Sequence, residues 1–176
     1  MEKNPKRQRR TPGSILRIDL EDGYYCYAQI LDEGVAFFDI HTKEKKLKDL
    51  NILLNTPVLF IIGVYTDVIS QGIFLKVGKL PIRDDLKNQP MNYIEDILAT
   101  DKNRRFELYN PSTGETTPCT QDQAWGLERC AVWNYNHIED RLRDHYAGRT
   151  CKWLHDFWRN PQVEYRNGVP INEKFR

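Results

Sequence analysis

The sequence predicts an α+β fold, a curved antiparallel sheet over residues 13–110 that could close towards a barrel, packed by C-terminal helices over residues 121–158. Three observations predict it. Residues 14–40 form short alternating or apolar runs separated by Gly-bearing turns, and Val58 to Tyr65 is a nearly continuous apolar run bounded by Pro57 and Thr66-Asp67. After Pro118 the signals become helical.

Thr11-Pro12-Gly13 marks a turn, and residues 14–20 then place Ile15, Arg17 and Asp19 on one side and Leu16, Ile18 and Leu20 on the other, as a half-buried strand does. Glu21-Asp22-Gly23 closes this strand, because Asp-Gly readily supplies the positive φ of a tight hairpin. Residues 24–31 are the aromatic return strand, Asp32-Glu33-Gly34 turns the chain again, and residues 35–40 complete an antiparallel meander. Lys43, Lys45, Lys46 and Lys48 crowd the stretch between His41 and Asn55, which reads as an exposed connection or a sheet edge, since long lysines discourage edge pairing. The run from Val58 has the pattern of a central strand covered on both faces, and residues 72–78 form another strand between glycines. Residues 80–89 read as a loop or short helical turn, residues 93–99 as a short helix and residues 104–109 as a strand.

Thr120-Gln121-Asp122-Gln123 matches a capping box, in which the Thr hydroxyl and the Gln side chain satisfy orphan amides at a helix start. The spacing predicts a helix from about Gln121 towards Cys130 and a longer one to Ala147, with Gly148 as its C′ residue. Residues 151–158 are aromatic enough to dock on the body, and the chain from Asn160 onwards reads as loosely ordered.

Composition bounds the function. With 176 residues, 40% apolar and 29% charged, the chain is long enough for a core without staples and unlike collagenous, coiled-coil or disordered classes. Crossing a bilayer takes about 20 apolar residues, and no secretory pattern opens the chain, so a cytosolic, membrane-free protein is expected. The formal charge of +1 divides unevenly: Lys3, Lys6, Arg7, Arg9 and Arg10 against Glu2 give residues 1–10 a net of +4. That leaves 21 basic and 24 acidic groups, a net of −3, over residues 11–176. Residues 1–11 therefore read as a basic, flexible arm, residues 12–160 as one domain and residues 161–176 as a tail. The four cysteines, at 26, 119, 130 and 151, form no C-x-x-C pair and no zinc-finger spacing, and Asp19, Glu21 and Asp22 are too irregular for a calcium loop. No metal or cofactor is expected.

On a helical wheel, Ala131, Tyr135, Ile138, Leu142 and Tyr146 share the core-facing side. Trp133, His137, Asp140, Arg141 and Asp144 gather opposite them, with Arg143 and His145 flanking. Three readings compete for this face. It can be structural, with Arg141 paired to Asp144, Glu139 to Arg143, His137 to Asp140, and Trp133 under the aromatic segment that follows. It can bind a partner, since Trp and Arg are frequent interface anchors. It can be a hydrolase centre built on His137 and Asp144, but no phosphate cradle or nucleophile elbow accompanies it.

Several stretches together resemble the immunity protein 26 family. Residues 9–20 (Arg9-Arg10-Thr11-Pro12-Gly13-Ser14 onwards), 23–31 and 36–40 look like its N-terminal half. Gly126-Leu127-Glu128-Arg129-Cys130-Ala131-Val132-Trp133, followed by residues 137–146, is similar to its C-terminal signature, so that the resemblance spans most of residues 9–155. The resemblance implies a non-enzymatic cytosolic antidote from a bacterial polymorphic toxin system, whose partner is a cognate protein toxin. The candidate partner-binding residues are Glu128, Arg129, Trp133, His137, Asp140, Arg141 and Asp144, with no catalytic residue expected. The alternatives are a nucleic-acid-associated module using the basic arm and the lysines at 43–48, and the hydrolase of His137 and Asp144.

Overall fold

The computed structural model describes residues 7–154 together with residues 165–166 and 169–170. In chain order the elements are β1 (Ser14–Asp19), β2 (Tyr25–Ile30), β3 (Val35–Phe38), β4 (Val58–Val64), α1 (Thr66–Ser70) and β5 (Leu75–Lys79). They continue with β6 (Asn92–Glu95), β7 (Phe106–Tyr109), β8 (Thr116–Cys119), α2 (Gln121–Ala124), β9 (Val132–Trp133) and α3 (Tyr135–Tyr146). The pair β10 (Tyr165–Arg166) and β11 (Val169–Pro170) follows. The mixed α+β class is the one predicted. Residues 1–6 of the basic arm, and most of the chain after residue 154, lie outside the described residues.

Two compact units divide the chain: residues 1–88 with 132–139, and residues 89–131 with 140–176. The first holds a six-stranded sheet in the order β5-β1-β2-β3-β4-β9, open at both edges. Its meander is antiparallel as expected, with Ile15 opposite Gln29 and Ala28 opposite Phe37. Burial goes further than the alternation suggested: β1 is covered on both faces at Ile15 and Leu16, and every residue of β2 from Cys26 to Ile30 is buried. Conversely, β4 is paired on both sides, by β3 and β9, but is not fully covered on both faces. It alternates, with Phe60, Ile62 and Val64 buried and Leu59, Ile61 and Gly63 half-buried, so one face is covered more fully than the other.

Backbone conformation explains two of the turns. Gly13, at φ +84°, donates to the Ile30 carbonyl and accepts from the Leu80 amide, and a Cβ there would stand 2.8 Å from the Leu80 oxygen. In the β1–β2 turn the positive φ falls on Glu21 (59°) and Gly23 (88°), while the Asp22 carboxylate accepts from the Tyr24 amide. Two polar clamps, one buried and one part-buried, hold the loops around the sheet. The Gln29 amide donates to the Leu80 carbonyl at 3.0 Å, and Arg83 Nη1 donates to the Thr56 carbonyl at 2.5 Å while its other nitrogens grip Asp85.

The second unit contains the three-stranded sheet β6-β7-β8, whose apolar face (Tyr93, Phe106) packs with Ala124, Trp125 and Leu127. Residues 92–95 are therefore a strand and not the start of a short helix, since Ile94 finds a register partner in Glu107. The capping box at Thr120 and Gln123 is present, with both hydrogen bonds made, but α2 stops after one turn. Gly126, at φ +89°, turns the chain away. The second predicted helix also starts late. Pairing with β4 draws residues 132–133 into an extended strand, and Asn134 accepts the first helical bond, from Ile138. Its end is as predicted: Gly148, at φ +66°, donates to the His145 carbonyl and Arg149 to that of Asp144, the paired bonds of a Schellman stop.

Candidate functional site

The late start of α3 changes its faces. Ile138 and Leu142 are fully buried as the core stripe requires, but Ala131 lies outside the helix and is exposed, and Tyr135 is 38% exposed. Trp133 is on β9 and only 9% exposed, and its carbonyl accepts from the Tyr65 amide just past β4, so it is a covered residue and not part of an exposed helix face. His137, also in the first unit, is half-buried.

The remaining candidates belong to the second unit. There the segment 128–130 runs beside β6: the Tyr93 amide donates to the Glu128 carbonyl at 2.9 Å, and Cys130 donates back to that of Tyr93 at 2.7 Å. This fixes Glu128 and Arg129 on an ordered backbone. The Glu128 carboxylate receives both terminal nitrogens of Arg141, a bidentate pair in which Arg141 is almost wholly covered and Glu128 remains a quarter exposed. A guanidinium that is so enclosed and so fully engaged is a structural tie.

Asp140 receives three donors: Trp153 Nε1 at 2.8 Å, Lys152 Nζ at 3.0 Å and Arg143 Nη1 at 3.1 Å. The Trp153 hydrogen bond, then the hydrogen bond and charge of Lys152 and the charge of Arg143, hold its carboxyl below the usual carboxylate value against the opposing effect of burial. Asp144 pairs with Arg149 at 3.0 Å just past the helix. These partners differ from the pairing expected within the helix, because donors from residues 149–153 fold back onto its second half. Trp153, 41% exposed with its indole nitrogen tied to Asp140, is a surface aromatic that sequence reasoning did not single out. Its only signal was membership of an aromatic run.

No group of three metal-ligating side chains occurs among the described residues. Burial works against thiolate formation at all four cysteines. Burial pushes Cys26 up to about 12, with Asp22 and Asp39 adding to the shift, and burial also raises Cys119, Cys130 and Cys151. No helix among the described residues is long and apolar enough to cross a membrane.

A family model described as immunity protein 26 matches residues 11–104, more than half of the chain. The chain belongs to the immunity protein 26 family. The match covers five of the six strands of the larger sheet, β1 through β5, and continues to β6. The stretch 126–146, on which much of the resemblance rested, lies outside it, so membership is carried by the β meander. No curated protein and no solved structure matches the chain. An immunity protein 26 chain has a protein toxin as its general class of partner, and its family points to a non-enzymatic role.

Proposed function

We propose that this chain is the cytosolic antidote of a bacterial polymorphic toxin system and neutralises a cognate toxin by direct binding. Membership of the immunity protein 26 family carries this reading. The lack of a thiolate-prone cysteine and the engagement of Asp144 by Arg149 favour binding over chemistry. Within the second unit, the toxin would meet the half-exposed Glu128, Arg129, Asp140 and Asp144. Asp140 pins Trp153 in a fixed orientation, which lowers the entropy lost when a surface aromatic anchors an interface. Arg141, being covered, supports that surface from within, and Trp133, also covered, and His137 belong to the first unit, where His137 is a separate candidate.

The test is growth rescue. The toxin gene adjacent to this one, expressed alone, should arrest growth, and co-expression of this chain should restore it. Purified toxin domain and this chain should then co-elute as a complex. Failure of both rescue and complex formation would remove the reading.

A further inference from the structure

The Lys-rich connection has an unexpected place in the fold. As guards of a sheet edge, its lysines should lie along β5 or β9, the two edges of the six-stranded sheet. Instead the 42–48 segment is strapped across β1 and β2, in the sheet interior. Tyr25 and Thr42 exchange backbone hydrogen bonds at 2.7 and 3.0 Å, and Arg17 on β1 donates to the Lys45 carbonyl at 2.9 Å. The Thr42 hydroxyl accepts from the Glu44 amide at 3.0 Å, and Leu47 is buried in the core cluster with Ile15 and Tyr27. The loop is thus anchored from below, and Lys43, Lys45, Lys46 and Lys48 all project into solvent.

Lys43 contacts the Tyr24 ring, and the stretch as a whole crowds like charge. Edge protection is removed by the topology, and four lysines against Glu44 and Asp49 leave this short stretch with excess positive charge. Asp49 is further occupied in accepting from the Asn51 amide at 2.9 Å. A fixed, exposed excess of one sign steers an oppositely charged partner towards a defined orientation.

The neighbouring aromatic rings select the kind of partner. Tyr24 is stacked on His41 with centroids 4.0 Å apart and carries Lys43 Nζ over its ring, and Tyr25 carries the Arg17 guanidinium at 5.5 Å. Ring faces used in this way are poor platforms for nucleic-acid bases. Next to them, the exposed Asp19, Glu21 and Asp22 of the β1–β2 turn would repel a polyanion. A surface with basic and acidic sectors side by side complements a protein of mixed charge, not a phosphate backbone.

We propose that the anchored 42–48 loop of the first unit is an electrostatic docking surface for an acidic patch on the partner protein, engaged through Lys43, Lys46 and Lys48. This rests on the toxin-binding reading above, the toxin being that partner. It adds a contact region that the α3 candidates do not include.

The experiment measures association of the full chain with the purified, catalytically inactivated toxin domain from the adjacent gene, by stopped flow at several salt concentrations. K43E/K46E/K48E should associate about tenfold or more slowly than wild type at low salt, with the difference shrinking as salt screens the charges. K79E/K87E, which reverses exposed lysines elsewhere in the first unit, should stay within about twofold of wild type. The glutamine series K43Q/K46Q/K48Q provides the same readout should the reversed variant lose its fold by circular dichroism. Wild-type binding with the triple variants within about twofold at low salt overturns the docking loop and leaves the toxin reading intact. Loss of binding to labelled single-stranded or duplex DNA, with toxin association unchanged, overturns it in favour of nucleic acid. Absence of any wild-type association with the toxin overturns the underlying reading itself.

Discussion

In the first unit, Phe37 is fully buried with the rings of Phe60 and Phe74 at centroid distances of 4.9 and 6.5 Å, and both faces of β2 and β3 are sealed. Among the described residues of the second, a buried apolar cluster comprises Tyr93, Phe106 and Ala124, Leu142 and Cys151 are buried as well, and charged ties order the surrounding segments. Arg141 grips Glu128, Arg105 grips Glu95, and Asp140 collects three donors. The contrast teaches where each unit is vulnerable. Apolar burial is non-directional and nearly insensitive to pH, whereas an ion pair fails when one partner is removed or neutralised.

The largest expected effect is on the apolar side of this contrast. Phe37→Ala should destabilise the first unit by about 3–5 kcal/mol, read from the denaturant midpoint, because it opens a cavity where three rings meet. A loss below about 1 kcal/mol would show that the sheet tolerates a cavity and would break the comparison.

Next in size, Arg141→Ala should cost about 2–3 kcal/mol, less than for a wholly enclosed pair because Glu128 keeps some water. Hydrogen exchange should rise in residues 128–130 and β6 while β2 stays protected. The double variant R141M/E128L should recover most of the loss. If it does not, the pair contributes more than the removal of an uncompensated charge.

Thr120→Ala removes one arm of the capping box and should cost about 1 kcal/mol, with faster exchange at the Gln123 amide. The smallest effect sharpens the electrostatic half of the comparison. Asp140 has a folded-state pKa below its ordinary value of 3.8, so its contribution is present above that value and is lost as the pH falls through the lower folded value. Asp140→Asn should change stability at neutral pH by less than about 1 kcal/mol, as a partly exposed group does, and flatten the acid limb of the stability profile. An unchanged acid limb would assign the pH dependence elsewhere.

Legibility in the sequence followed the range of the interactions. The meander, the glycine turns, the capping box at Thr120 and the helix stop at Gly148 were readable, since each depends on residues a few positions apart. The short helix expected over residues 93–99 failed because Asn92 to Glu95 answer to a strand beyond position 105. The helix expected before Tyr135 failed because β4, nearly seventy positions away, draws residues 132–133 into the sheet. Site residues divided in the same way. The crowded polar face around residues 133–144 was visible, but which members are ties and which remain at the surface depended on donors at 149, 152 and 153 and on Glu128. Nothing in the spacing of opposite charges thirteen positions apart singles out the pair of Glu128 and Arg141.

By itself, then, the sequence determined the α+β class, the order of the first three strands, the local caps and the concentration of lysines at 43–48, all consequences of side-chain alternation and short-range hydrogen bonding. Tertiary structure alone decided that the lysine loop crosses the sheet interior and not its edge, that Trp133 is covered, and that Asp140 holds Trp153. Those outcomes require segments distant in the chain to share one another's hydrogen bonds, and the free energy of such pairings has no local signature.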